Sequence, residues 1–138
     1  MTLQSAILAD LLNTEVAIAQ ERLGDRVSAI FRVGTQVHCV IEGTNLGTAT
    51  LRLEGAGYDA EPLQVAVIML DGQVAPREGW PGNLFHSVHP VLGRPFACVQ
   101  GTYEYHCLPC HMTDRWDTHR GRLRLAELLS HLVTKARQ

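Results

Sequence analysis

This sequence predicts an α+β domain built around an antiparallel sheet. Three observations carry the prediction. Apolar residues recur at helical spacing near each end of the chain. Between these stripes run four segments of strand-like apolar pattern. Short turns rich in Gly, Thr and Asn join the first three of those segments. A length of 138 residues suits one domain, 1–138, with a hydrophobic core.

The first helix is expected over residues 3–23, where Leu8, Leu11, Leu12, Val16, Ala19 and Leu23 recur at steps of three and four. Gly24 stands at the expected C-cap. In Arg26–Val33, Val27, Ala29, Phe31 and Val33 alternate with polar or small residues, as a strand requires. Gly34-Thr35 reads as a turn, and Val37, Cys39 and Ile41 alternate in a second strand, Gln36–Glu42. After a turn at Gly43–Gly47, a third strand puts Ala49, Leu51 and Leu53 on one face. Gly55–Pro62 is a loop. Leu63–Leu70 is a fourth strand, apolar on both faces, which predicts a central position in the sheet.

From Asp71 to Gly93, glycines and prolines break every pattern. A loop of that length inside one domain points to function. Trp80 and Phe85 would pack it down, and His89 would hydrogen-bond backbone within it. Phe96–Tyr105 reads as a short strand leading into a Cys/His-rich segment, 98–111, and Gly121–Arg137 as a second amphipathic helix.

Bulk composition narrows the function. The formal net charge is -2 and there is no basic tract, which argues against nucleic acid as the main partner. No apolar run approaches membrane-spanning length, so no membrane partner is expected. The opening residues lack a basic segment followed by an apolar stretch, which predicts no secretory signal and a cytoplasmic protein. Four cysteines in a reducing compartment read as ligands, nucleophiles or core residues rather than disulfides. Five of the seven histidines fall between positions 86 and 119.

The chemistry concentrates in Cys98-Val-Gln-Gly-Thr-Tyr-Glu104-Tyr-His106-Cys107-Leu-Pro-Cys110-His111. Each of these Cys, Glu and His side chains can ligate a soft or borderline metal, and the thiols can act as nucleophiles.

The order of helix, meander, His-Pro loop, cysteine, tryptophan and helix resembles the ubiquitin-conjugating enzyme fold. Gly57-Tyr58-Asp59-Ala60-Glu61-Pro62 is similar to that family's turn before its fourth strand. His89-Pro90 resembles its His-Pro-Asn signature, with Val91 in place of the Asn, and Cys98 follows nine residues after His89. Trp116 before a Leu-rich helix is also similar. A second, local resemblance is carried by Cys98, Glu104, His106 and His111 in the frame Pro-Phe-x-Cys-x-x-Gly-x-x-Glu-Tyr-His-x-x-x-x-His. It looks like the bacterial Cys-Glu-His-His family of metal-binding domains. That family is encoded beside ubiquitin-like proteins, activating enzymes, conjugating enzymes and JAB-type deubiquitinases. Together the resemblances imply a bacterial ubiquitin-like conjugation pathway, with a ubiquitin-like protein and an activating enzyme as partners and a JAB-type deubiquitinase as a further one.

Two chemistries compete for the cluster. On an extended strand Glu104 and His106 share a face, Cys98 joins it, and His111 returns across the Leu108-Pro109 turn; the four could hold Zn²⁺ at about 2.0–2.3 Å. Zinc would then stabilise a non-catalytic accessory domain of the same pathway. Alternatively Cys98 carries a thioester, with Arg94 before it and His86, His89 and His106 as neighbours that would lower its pKa, and with Glu104, His106 and His111 as its acid–base and orienting neighbours. Cys107 becomes the carrier if Cys98 is a ligand, because a metal-bound thiolate is a poor carrier. A metal-dependent hydrolase with Glu104 as general base ranks third, since no His-Glu-x-x-His helix is present. Cys107-Leu-Pro-Cys110-His111 also matches the haem c attachment pattern, a chemistry of compartments outside the cytoplasm. Cys39 reads as a small buried hydrophobe, His38 and His131 as solvated, and Arg120, Arg122 and Arg124 as a solvated helix start. Asp114 and Asp117 read as helix caps or histidine partners.

Overall fold

The structure is a computed structural model and describes residues 3–138. The predicted α+β architecture is present: an N-terminal helix, a four-stranded antiparallel sheet and a C-terminal helix. Helix α1 (Ser5–Leu23) buries Leu8, Leu12, Val16, Ala19 and Leu23 at the spacing read from the sequence, and carries Glu15 into the same interface. Gly24 ends it in a left-handed conformation (φ 50°) that brings its N–H to the carbonyl of Gln20.

Strands β1 (Ala29–Val33), β2 (Gln36–Thr44), β3 (Gly47–Glu54) and β4 (Gln64–Ile68) lie in chain order, each antiparallel to the next. Cys39 sits opposite Ile30 and Leu51, and Leu51 opposite Val67, so one row crosses the whole sheet. That inner face, with Val37, Ile41, Leu53 and Val65, forms one core with α1 and the C-terminal helix α4 (Leu125–Ala136). No helix among the described residues is long and apolar enough to cross a membrane.

β4 is an edge strand, not the central strand that its apolar pattern predicted. The pattern arises because its free edge is covered. Leu63 O accepts from Tyr103 N at 2.8 Å, Val65 N donates to the Glu104 carboxylate at 2.9 Å, and Val67 O accepts from Ala75 N at 2.8 Å. Backbone groups that would otherwise invite another strand are thus paired within the chain.

The long loop holds a 3₁₀ turn, Arg77–Gly79, and then a small hairpin of β5 (Ser87–Val88) and β6 (Pro95–Phe96). Trp80 is buried, meets Phe85 edge-on and donates its indole N–H to Ala75 O. At Gly82 (φ 57°) the loop presses on the C-terminal end of α4, where a Cβ would stand 2.4 Å from Lys135 O. Only glycine fits that approach.

The strand expected over Phe96–Tyr105 stops at Phe96. Residues Tyr103–His106 form a one-turn helix, α2. Thr102 decides this: its buried hydroxyl caps α2 by accepting from Tyr105 N, and donates to Val99 O. A second short helix, α3 (Trp116–His119), precedes α4, which begins at Leu125 rather than Gly121.

Of the arginines before α4, Arg122 is exposed as expected, but Arg120 and Arg124 are engaged in ion pairs rather than simply solvated. Arg124 pairs with Glu15 at 3.0 Å and with Asp59 at 2.8 Å, and Arg120 pairs with Asp59 at 2.9 Å. Tyr58 donates to Glu15 at 2.7 Å, and the Trp116 indole N–H donates to Asp59 O at 2.9 Å. Burial, reinforced by the Glu15 hydrogen bond, drives the Tyr58 hydroxyl far above its ordinary pKa, so it stays a donor. This network ties α1, the loop before β4 and the start of α4 into one unit.

Candidate functional site

Cys98 follows β6 in the irregular segment that runs to α2, and is half-buried. His111 closes the 3₁₀ turn Pro109–His111, and that turn swings its ring back to Cys98. The Cys98 Sγ lies 3.8 Å from His111 Nε2. This is hydrogen-bond distance for sulfur, between a thiol and an imidazole that can take its proton. Burial, helped by the neighbouring Cys110, raises the Cys98 thiol above its ordinary pKa, with Lys135 acting weakly the other way. At rest Cys98 is therefore a thiol, and becoming a nucleophile requires a base.

His111 also lies flat on Tyr105, with ring centroids 4.1 Å apart and planes 14° from parallel. The Tyr105 hydroxyl donates to Asp114 at 2.7 Å. Asp114 is a hub: Gln100 Nε2 donates to the same carboxylate at 2.7 Å, and His119 Nε2 lies 2.5 Å from its other oxygen. Arg122 lies 2.9 Å from the opposite nitrogen of His119, the geometry of a donor to a ring lone pair. The hydrogen bond from Tyr105, with those of His119 and Gln100, holds the Asp114 carboxyl well below the ordinary carboxylate range. Reciprocally, the bond to Asp114 pushes the Tyr105 hydroxyl up to about 12.

The other candidate residues lie in different surroundings. Glu104 is 1% exposed; one oxygen accepts from Val65 N and the other from Arg94 at 2.7 Å. Burial raises its pKa, against the pull of the Val65 N–H and Arg94. On a helical turn, neighbours two apart point to different sides, so Glu104 and His106 lose the shared face that a strand would have given them. His106 Nδ1 lies 2.6 Å from Asp114 O, and its Nε2 accepts from Gly101 N at 3.2 Å. Burial lowers its pKa, which favours this neutral, doubly bonded ring. The set Cys98, Glu104, His106 and His111 therefore does not converge on one point, and only Cys98 and His111 meet. No three His, Cys, Asp or Glu side chains among the described residues are grouped to hold a metal ion.

His89 is buried, and backbone groups occupy both its ring nitrogens: Nδ1 accepts from Val91 N and Leu92 N at 3.1 Å, and Nε2 lies 2.9 Å from Glu104 O. It pins the β5–β6 turn to α2. His86 is exposed and meets Phe96 edge-on. Cys107 is half-buried in a different environment, beside Tyr103, Glu104 and Arg94; burial raises its pKa while the Tyr103 hydrogen bond lowers it. Cys110 is exposed. Cys39 lies in the core as read, and burial lifts its thiol to about 12.

No protein-family model matches this sequence, and no curated protein matches it.

Sequence reasoning missed Tyr105, Gln100, His119 and Arg122. Tyr105 carried a faint signal, being an aromatic residue directly between Glu104 and His106. His119 carried one too, five residues after Asp114.

Proposed function

We propose that this protein carries an acyl group as a thioester on Cys98, with His111 as its base. We assign it the role of a ubiquitin-conjugating-like component that receives a ubiquitin-like protein from an activating enzyme. The observation that supports this reading is the 3.8 Å approach of Cys98 Sγ to His111 Nε2. Among the cysteines, Cys98 combines partial exposure with an imidazole partner, whereas Cys107 faces Tyr103 and the Glu104–Arg94 pair.

The chemistry balances without an oxidant or a metal. The Cys98 thiol passes its proton to His111 Nε2 as sulfur attacks the thioester carbonyl on the activating enzyme. The tetrahedral intermediate collapses, expelling the donor's thiolate, which takes the proton back from the imidazolium. The acyl group now rests on Cys98. In the second half an amine attacks that carbonyl, His111 takes the amine's proton, and the Cys98 thiolate leaves and is reprotonated.

The test uses a peptide ending in Gly-Gly, supplied as its mercaptoethanesulfonate thioester. The expected result is a mass gain of one acyl peptide on the intact protein, reversed by neutral hydroxylamine, lost in Cys98→Ala, and either lost or converted to a hydroxylamine-resistant ester in Cys98→Ser. An undiminished mass gain in Cys98→Ala removes the assignment of Cys98.

A further inference from the structure

We propose that Tyr105, anchored by Asp114, is the positioning residue that holds the His111 ring with Nε2 facing the Cys98 thiol; this rests on the assignment of the Cys98–His111 pair as the reacting groups. His111 stands on a three-residue 3₁₀ turn flanked by the exposed residues Cys110 and Met112. Such a turn does not by itself fix an imidazole. The ring meets Cys98 through Nε2, and its face lies against Tyr105 in a near-parallel stack.

A stack fixes the plane of a ring only as well as its partner is fixed. Tyr105 is fixed at both ends. Its backbone N–H donates to the Thr102 cap, and its hydroxyl donates to Asp114. Asp114 is in turn held by Gln100 and by His119, behind which stands Arg122. The chain of contacts thus runs from Arg122, in the turn between α3 and α4, through His119 of α3 and Asp114 to Tyr105 of α2 and so to the base. Gln100 lies two residues from Cys98, so the same carboxylate restrains the backbone that carries the thiol. A base misplaced by about 1 Å forfeits much of its rate, and this network prevents that displacement.

The pair's activity can be read without any partner, from the alkylation of Cys98 by iodoacetamide followed by peptide mass spectrometry across pH. The profile has two parts: a neutral-pH plateau set by proton transfer from the Cys98 thiol to the His111 ring, and a high-pH limb set by ionisation of the thiol itself. The plateau belongs to the minor thiolate–imidazolium form, which exists only while the two rings and the sulfur keep their geometry.

Tyr105→Leu, which removes the stack, is expected to lower that plateau by about tenfold or more while sparing the high-pH limb. Tyr105→Phe keeps the stack and loses the Asp114 bond, and is expected to fall between Tyr105→Leu and wild type. A folded Tyr105→Leu protein with the wild-type plateau overturns the proposal. Should Tyr105→Leu fail to fold, Tyr105→Phe decides: a reduced plateau supports the proposal and an unchanged one overturns it. The underlying pair is tested separately by His111→Asn. If that variant keeps the plateau, the Cys98–His111 assignment itself fails, whatever Tyr105 does.

Discussion

The Cys98 thiol and the His111 imidazole, 13 positions apart in sequence, meet at 3.8 Å because two tight turns reverse the chain between them. The first is α2, capped by Thr102; the second is the 3₁₀ turn that begins at Pro109. Glu104, in the middle of α2, points the other way, into the protein. The segment with the most metal-ligand chemistry is therefore split into a buried structural half and a half-exposed reactive half.

The structural half makes a prediction about Glu104. Its carboxylate neutralises Arg94 and pairs the edge N–H of Val65, a donor with no strand beside it. Glu104→Ala leaves the Val65 N–H unpaired and Arg94 without its counter-charge, held by Gln64 Oε1 at 3.1 Å. Arg94 is one-third exposed, which lets water repair part of the damage. The expected loss is about 2–3 kcal/mol of stability, read by urea denaturation. A change within error would show that the buried pair does not secure the β4 edge.

His89 should behave as a structural residue. His89→Ala strands the N–H groups of Val91 and Leu92 and the carbonyl of Glu104. A loss of about 2–3 kcal/mol is expected, again by urea denaturation, with acylation of Cys98 in the folded protein unchanged. A stable His89→Ala protein with slowed acylation would place His89 in the chemistry instead.

Asp114 sets a pH dependence with a definite sign. Its folded-state pKa lies well below the unfolded value, chiefly through the Tyr105 hydrogen bond. Its contribution is therefore fully present above the unfolded pKa, about 3.9, and is lost as pH falls through the lower folded one. The Tm gap between wild type and Asp114→Asn should stay constant from neutral pH down to about 5 and close progressively below about 4. A gap that widens in acid would contradict the assignment of Asp114 as a charged hub.

Much of the fold was legible in the sequence because it rests on periodicity. The α1 stripe and the alternation of Val37, Cys39 and Ile41 each report one buried face, and the structure buries those faces. β4 misled because a covered edge strand and a central strand bury the same side chains. Tyr103–His106 misled for a different reason. Its local alternation suits a strand, and the outcome is settled by the Thr102 cap and by the Val65 N–H that captures Glu104. Arg124 gave no sign of its partners, since Glu15 lies 109 positions away. In the candidate site, His111 was legible as one of three acid–base neighbours of Cys98, with Glu104 and His106, but the choice among them depended on two turns of the chain. Asp114 was legible as a histidine partner, though not the choice of His119 or the bond from Tyr105.

The most direct test of the account is the site and rate at which the Gly-Gly peptide thioester acylates the folded protein, mapped by peptide mass spectrometry. Exposure alone favours Cys110, while the imidazole partner favours Cys98. Cys98 is expected to be acylated first at neutral pH, and His111→Asn to slow Cys98 while leaving Cys110 unchanged. Acylation that follows exposure, with Cys110 fastest and Cys98 indifferent to His111, would contradict it.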